Sequence, residues 1–373
     1  MIESFFCWIT YFWAIIQLTI NLNKTMMLQR SIYVCAIIAS LFLMSCTSPA
    51  GPSKTTTDYF APADSGVQVA GIKIIPITTP KGKFNVWTKT IGNNPTIKVL
   101  LLAGGPGVSH EYLEAFESFF PKEGIEFIYY DQLGCGYSDN PKDTSLFDLD
   151  RYVEEVEQVR TALHLDSTNF YLYGHSWGGI LAMQYAVKYQ HHLKSLIISD
   201  MMPSAADYNK YSEDVLAKQM DPLVLDTLRQ IEAKGDFGNP KYMELLMPNY
   251  YAQHICRLDP WPEPLLRALG RLNNDLYVTM QGPSEFGLRG KLLSWDVKPQ
   301  LAGLTIPVLS IGAKYDSMDP EAMKWLAHTV KNGSYLYCPN GSHMSLYDDQ
   351  QVYMNGIIRF IKEIDGGAKK ITL

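Results

Sequence analysis

The sequence has little of what several functional classes need. Its 32 Lys and Arg residues are outnumbered by 38 Asp and Glu residues, a net charge of −6, so the basic surplus typical of nucleic-acid binding is missing. None of the six cysteines stands in a C-x-x-C pair, which argues against a zinc ribbon or a redox dithiol. No apolar run reaches the roughly 18–20 residues of a membrane-spanning helix. The remaining composition, 47% hydrophobic and 19% charged, is that of a globular protein.

Two shorter apolar stretches, residues 5–20 and 32–44, open the chain. The second follows two basic residues, Lys24 and Arg30, and is followed by a Leu-Met-Ser-Cys motif that ends at Cys46. A positive segment, an apolar segment and such a motif are typical of a bacterial lipoprotein signal peptide. We therefore predict that Cys46 carries the lipid.

The same pattern predicts a leader over residues 1–46 and a tether over 47–65. Because Met26 and Met27 stand where a signal peptide should begin, we expect residues 1–25 to be an upstream extension; the alternative is that they hold a membrane segment. Thr47 follows the cysteine, and similarity to Gram-negative lipoproteins then implies export to the outer membrane, facing the periplasm. Membrane attachment would be through the lipid alone.

Predicted strands and helices alternate along the rest of the chain. Strands are predicted at 67–78, 84–91, 98–103, 125–131, 170–173, 196–199, 308–312 and 335–338, and helices at 110–120, 149–163, 180–189, 320–330 and 352–364. This order favours an α/β fold with a mostly parallel eight-stranded sheet flanked by helices. The segment 202–303 breaks the alternation, because it is helical and rich in Pro, Tyr, Met and Leu. We interpret it as a cap inserted between two core parts, 66–201 and 304–373.

A Gly-His-Ser-Trp-Gly-Gly motif at residues 174–179 carries the strongest chemical signal. It lies between a predicted strand and a predicted helix, where G-x-S-x-G forms a sharp turn that exposes a serine hydroxyl. The turn is too tight for side chains at Gly174 and Gly178. We predict Ser176 as a nucleophile, which needs a base within hydrogen-bond reach because a free hydroxyl reacts poorly.

Among the eight histidines, His343 is the best candidate base, because it follows a late buried strand in a loop that can fold over the nucleophile. The orienting acid should precede it, after another strand. Asp316 meets this condition, and Asp319 is the rival. For the oxyanion, we predict the backbone N–H groups of Trp177 and of Gly105, which lies in the Gly-Gly-Pro-Gly loop after the third strand.

Five segments together resemble the prolyl iminopeptidase family of α/β-hydrolases, especially the branch of the archaeal tricorn-interacting aminopeptidase. They are residues 104–107, 131–138, 174–179, 282–286 and 342–343. The resemblance spans about residues 70 to 364. It implies an α/β-hydrolase fold and removal of an N-terminal residue, often proline, from short peptides that have a free N-terminus.

The resemblance also implies that Glu285, in a Gly-Pro-Ser-Glu-Phe segment of the cap, binds the substrate's ammonium group. The family commonly has a second acidic ligand after the catalytic Asp, where this chain has Ser317. Glu111 is one candidate to compensate. The cap also holds aromatic residues that either line a pocket for a proline ring or pack within the cap: Tyr250, Tyr251, Trp261, Tyr277 and Phe286.

We therefore expect a serine aminopeptidase that works through an acyl-enzyme and needs neither metal nor cofactor. Two alternatives stay open. The same residues could serve an amino-acid amidase or a carboxylesterase. A different class, a catalytically inactive binding lipoprotein on a hydrolase scaffold, is possible because fold alone does not determine function.

Overall fold

The computed structural model describes residues 59–61 and 67–373. The predictions for the leader, Cys46 included, fall outside these residues. Tyr59 belongs to the predicted tether, yet its hydroxyl donates a hydrogen bond to the backbone oxygen of Ile125 at 2.6 Å. In the part of the chain that is described, no helix is both long and apolar enough to cross a bilayer.

Eight strands form one sheet, as predicted. They are β1 (Ile72–Thr79), β2 (Gly82–Ile91), β3 (Lys98–Leu102), β4 (Glu126–Asp131), β5 (Phe170–His175), β6 (Ser195–Ser199), β7 (Pro307–Ala313) and β8 (Asn332–Cys338), in the spatial order β1-β2-β4-β3-β5-β6-β7-β8. β1 and β2 form an antiparallel hairpin, β2 pairs antiparallel with β4, and every later pairing is parallel. β1 begins later than predicted because Ala70 and Gly71 have positive φ, which interrupts the extended backbone.

The helices follow the strands in the predicted alternation. The α-helices are α1 (Leu149–Ala162), α2 (Trp177–Tyr189), α3 (Ala205–Tyr211), α4 (Pro222–Ala233), α5 (Pro240–Leu246), α6 (Glu263–Gly270), α7 (Asn274–Met280), α8 (Lys298–Leu301), α9 (Pro320–Thr329), α10 (Ser345–Asp348) and α11 (Gln350–Asp365). The helix predicted at 110–120 is instead a 3₁₀ helix, His110–Ser118, and Met247–Ile255 is a π-helix.

Two apolar layers cover the two faces of the sheet. Successive residues of β3 alternate between them: Leu100 belongs to the cluster that includes α1 and α2, and Leu101 to the cluster that includes α11. This alternation follows from the two-residue period of a strand. Because both faces are covered, the central strands are continuous apolar runs, which is the pattern from which they were predicted.

The predicted cap falls between β6 and β7, and its regular elements in the structure are helices. Part of it has its own apolar cluster, which includes Leu228, Leu246 and Phe286. The cap lies in the chain between two strands whose carboxyl ends point to one edge of the sheet. In doubly wound sheets, this edge is where ligands bind.

Candidate active site

Ser176 occupies the turn between β5 and α2, with φ 56° and ψ −125°. A non-glycine residue at positive φ is strained and is held only by its surroundings. Those surroundings are close-packed: a Cβ on Gly174 would lie 2.0 Å from the backbone oxygen of Gly178, and one on Gly178 would lie 2.2 Å from that of Leu102. The turn is therefore as tight as the motif predicted.

Gly178→Ala should lower the free energy of unfolding by about 3 kcal/mol, because the added methyl group meets rigid backbone of β3. Chemical denaturation would measure the loss. The matched control is Gly270→Ala, at a position in α6 where a Cβ meets nothing within 4 Å; it should be neutral or stabilising by up to about 1 kcal/mol. Equal stability of the two variants would contradict the packing of the turn.

His343 and Asp316 are brought together, as predicted. Nδ1 of His343 lies 2.8 Å from Oδ1 of Asp316, and both side chains are buried. Burial lowers the pKa of His343 below its usual value, so the neutral ring donates from Nδ1 and leaves Nε2 as an acceptor. The rival Asp319 instead begins α9, where its side chain accepts the N–H of Glu321 at 2.9 Å. Asp319 therefore serves as a helix cap.

A chain of hydrogen bonds links the Gly-Gly-Pro-Gly loop to the His343 loop. The hydroxyl of Tyr112 accepts the N–H of Gly104 at 2.6 Å and lies 3.0 Å from Nδ1 of His175. Nε2 of His175 lies 2.8 Å from the carbonyl oxygen of His343, which only accepts. Because burial lowers the pKa of His175 to about 3, its neutral ring donates from Nε2 and accepts at Nδ1. The residue before Ser176 thus contacts the His343 loop directly.

Tyr112→Phe should lower kcat by about 10- to 100-fold, because it breaks the connection that positions both loops. It should also lower the free energy of unfolding by about 1–3 kcal/mol, since it removes a buried group on which the Gly104 N–H and His175 Nδ1 depend. Steady-state kinetics and denaturation would measure the two effects. Tyr137→Phe, at a half-exposed ring, is the control; an equal effect there would contradict the proposed connection.

The predicted oxyanion donors lie beside Ser176. A Cβ on Gly104 would lie 3.1 Å from that of Ser176, so the loop passes directly over the serine, and Gly105 has a φ of 111°, which side chains rarely adopt. In the described residues, the N–H groups of Gly105 and Trp177 have no protein acceptor. They are thus available to a substrate oxygen.

Gln132 positions these donors, a role that sequence reasoning did not identify. Its Nε2 donates to the backbone oxygen of Ala103 at 3.3 Å, and its Oε1 accepts the indole N–H of Trp177 at 2.8 Å. One amide side chain thus joins the loop to the start of α2. The sequence indicated Gln132 only as part of residues 131–138, one of the five segments that resemble the family.

Glu285 is held by four cap tyrosines. Tyr277 donates its hydroxyl to Oε1 of Glu285, Tyr208 and Tyr250 donate to the Glu285 carbonyl oxygen, and Tyr251 accepts the Glu285 N–H. Burial raises the pKa of Glu285, while His343 and Tyr277 lower it. The charge of Glu285 in turn raises the pKa of His343, so the carboxylate of the cap acts on the imidazole of the core.

The five cap aromatics pack within the protein, contact Glu285, or, as Tyr250 does, do both. Tyr250 and Phe286 are buried in the apolar cluster of the cap. Trp261 donates its indole N–H to the backbone oxygen of Cys256 at 3.0 Å and packs against the core. Tyr251 and Tyr277 contact Glu285. Cap packing accounts for most of the set.

Neither of the two positions considered for a second acidic ligand, Ser317 and Glu111, places a free carboxylate beside Glu285. The hydroxyl of Ser317 lies 3.3 Å from Oδ1 of Asp316. Glu111, the candidate to compensate, is wrong for that role, because Arg267 and Arg271 bind its carboxylate at 3.3 and 3.2 Å. Its negative charge is already neutralised by these two guanidinium groups.

The sheet, its covered faces and the turn at Ser176 define an α/β-hydrolase. A model of the alpha/beta hydrolase fold matches residues 98–238. The chain is 59% identical over 292 residues to the proline iminopeptidase of Flavobacterium johnsoniae, covering 78% of this chain and 98% of that protein. It is 58% identical over 294 residues to that of Elizabethkingia meningoseptica, with the same coverage. The chain belongs to the proline iminopeptidase family.

The fold of this chain is also similar to that of a solved structure. The crystal structure of the proline iminopeptidase of Mycobacterium smegmatis superposes with a TM-score of 0.69 at 27% sequence identity. It covers 78% of this chain and 98% of that one. The predicted fold and family are thus confirmed.

Proposed function

We propose that this protein is a serine aminopeptidase that releases N-terminal proline from short peptides through an acyl-enzyme. Ser176 attacks the carbonyl carbon of the first residue, and His343 accepts the serine proton and returns it to the leaving amine. Asp316 orients His343 and stabilises the imidazolium. The N–H groups of Gly105 and Trp177 bind the oxyanion.

The observation that carries the proposal is Glu285, a half-buried carboxylate that four cap tyrosines hold in place. Its negative charge raises the pKa of His343, and a substrate whose carbonyl lies at Ser176 would place its α-ammonium near this carboxylate. Such a pair is worth roughly 4 kcal/mol at about 4 Å and an effective dielectric near 20, before desolvation. A substrate with a blocked amine would leave the carboxylate buried and unpaired, which enforces exopeptidase action.

The test is a substrate panel with free and acetylated amines. L-Prolyl, L-alanyl and L-leucyl arylamides, the matching amino-acid amides and p-nitrophenyl acetate would be compared by kcat/KM. The proposal predicts that the prolyl arylamide is preferred and that acetylation abolishes its cleavage. An amidase would favour the amides, and a carboxylesterase would be indifferent to the amine.

We also propose that the protein is exported and anchored by a lipid on Cys46, at the outer membrane facing the periplasm. The support is the signal-peptide pattern and its Leu-Met-Ser-Cys motif. Metabolic labelling with an alkynyl fatty acid should modify the wild type and spare Cys46→Ser. Recovery of a peptide from residues 1–25 from the purified protein would contradict the proposed start of the signal peptide.

A further inference from the structure

Asp200 is a fully buried carboxyl group that the proposed mechanism does not use. It directly follows β6, with φ 51°, and its N–H donates to the backbone oxygen of Ile311 at 3.1 Å. Its Oδ2 accepts the hydroxyls of Ser199 at 2.6 Å and Ser345 at 2.9 Å. Its Oδ1 has no partner of the usual kind among the described residues. One oxygen of this buried carboxyl group, Oδ1, therefore lacks a hydrogen-bond partner among the described residues.

The second unmatched oxygen belongs to Asp316. Oδ1 of Asp316 binds His343 and the N–H of Met318, whereas Oδ2 has no such partner in the described part of the chain. A hydrogen bond with the side chain of Asp200 is one of the interactions that lower the pKa of Asp316. Each carboxyl group has one unmatched oxygen, which points to a contact between Oδ1 of Asp200 and Oδ2 of Asp316. Two carboxylates in such contact need one shared proton, because like charges at this range do not both ionise.

The groups around Asp200 would not compensate a negative charge on its carboxyl group in addition to the charge of Asp316. The titratable groups that interact with it are Asp316, His343, Tyr112, Tyr173, Tyr335, Tyr353 and Cys338. None of these is a lysine or an arginine, and the neutral His343 already donates to Asp316. An unpaired charge here would be buried in a low-dielectric site without compensation.

We propose that Asp200 is a positioning residue that carries a proton at neutral pH and donates it from Oδ1 to Oδ2 of Asp316. This bond holds the Asp316 carboxylate so that Oδ1 stays directed at His343. Burial raises the pKa of both carboxyl groups, and the charge of Asp316 raises that of Asp200 further. Asp200 therefore keeps the proton, and the site carries one negative charge instead of two.

The inference rests on the proposed roles of Asp316 and His343, and two variants separate it from a merely structural role. Asp200→Gly removes the carboxyl group at a positive φ that glycine adopts freely. Asp200→Asn keeps a donor to Asp316 and tolerates the same φ. The rate of labelling by a fluorophosphonate probe, followed against pH, reports the reactivity of Ser176 and His343 with no dependence on the peptide substrate.

Asp200→Gly should label at least tenfold more slowly, and Asp200→Asn should recover most of that loss. The apparent pKa of the acidic limb of the profile of labelling rate against pH shows whether Asp200 is protonated. If Asp200 is neutral, Asp200→Asn changes no charge and the limb stays where it is in the wild type. If Asp200 were ionised, Asp200→Asn would remove a negative charge near His343 and move the limb to lower pH by about one unit or more, which would overturn the proposal.

An infrared difference spectrum between wild type and Asp200→Asn at neutral pH tests the proton without any reaction. A carbonyl band of a protonated carboxyl group, lost in Asp200→Asn, is expected. Absence of that band would overturn the proposal even where Asp200→Gly fails to fold. A wild-type protein that shows the band but is not labelled at Ser176 would overturn the proposed function while leaving the shared proton in place.

Discussion

Ser176→Ala is expected to lower kcat on a prolyl arylamide by about 10⁴–10⁶, because the variant loses the proposed nucleophile and keeps substrate binding and the proposed oxyanion donors. KM should change little, since the hydroxyl contributes to bond formation more than to substrate binding. Steady-state kinetics on purified protein would measure both constants. A fluorophosphonate probe should label the wild type and not the variant.

The control is Ser195→Ala, which removes another buried serine hydroxyl of the same sheet. Ser195 begins β6 and donates to the backbone oxygen of Pro307 at 3.1 Å, at the edge of the sheet opposite Ser176. Its variant should retain activity close to that of the wild type. Activity or labelling that survives in Ser176→Ala would contradict the role of Ser176 as the nucleophile. A wild-type protein that is neither active nor labelled would favour the binding-protein alternative.

Glu285→Gln should reduce kcat/KM for substrates with a free amine by about 30- to 1,000-fold, which corresponds to about 2–4 kcal/mol. Glutamine has the shape of glutamate but lacks the negative charge that would pair with the ammonium. Hydrolysis of p-nitrophenyl acetate, which has no amine, should change little. The ratio of the two activities isolates the ammonium contact from general damage.

The same variant should change the pH profile in a known direction. The negative charge of Glu285 raises the pKa of His343, so removing it lowers that pKa. His343 must be neutral to accept a proton, and the acidic limb of ester hydrolysis should therefore move to lower pH. Glu244→Gln, at an exposed cap carboxylate paired with Lys241, is the control. Equal losses on amine and ester substrates, or an unmoved limb, would contradict the role of Glu285.

Much of the fold could be predicted from local patterns. Continuous apolar runs such as Lys98–Leu102 indicate strands buried on both faces, and the structure has β3 there. The turn at Ser176 was predictable because glycine spacing and the flanking elements restrict the backbone locally. His343 and Asp316 followed from chain order and from their position after late strands. These signals depend on residues close in sequence or on the rule that parallel strands end at one edge.

The contacts that depend on distant parts of the chain were not predictable. Asp200 and Asp316 are separated by a whole cap, and nothing in either neighbourhood indicates that their carboxyl groups meet. Tyr112 and His175 form their connection only because the 3₁₀ helix packs over the sheet. Glu111 was named as a candidate second ligand because its partners, Arg267 and Arg271, lie in the cap region and carry no sequence pattern that links them to it.

The most direct test of the proposed site is a crystal structure with a diphenyl phosphonate analogue of proline, which reacts with an activated serine and retains a free pyrrolidine nitrogen. We predict phosphorus bonded to Oγ of Ser176, a phosphoryl oxygen about 2.7–3.1 Å from the N–H groups of Gly105 and Trp177, and the ring nitrogen paired with Glu285. An adduct on another residue, or a ring nitrogen directed to solvent away from Glu285, would contradict the account.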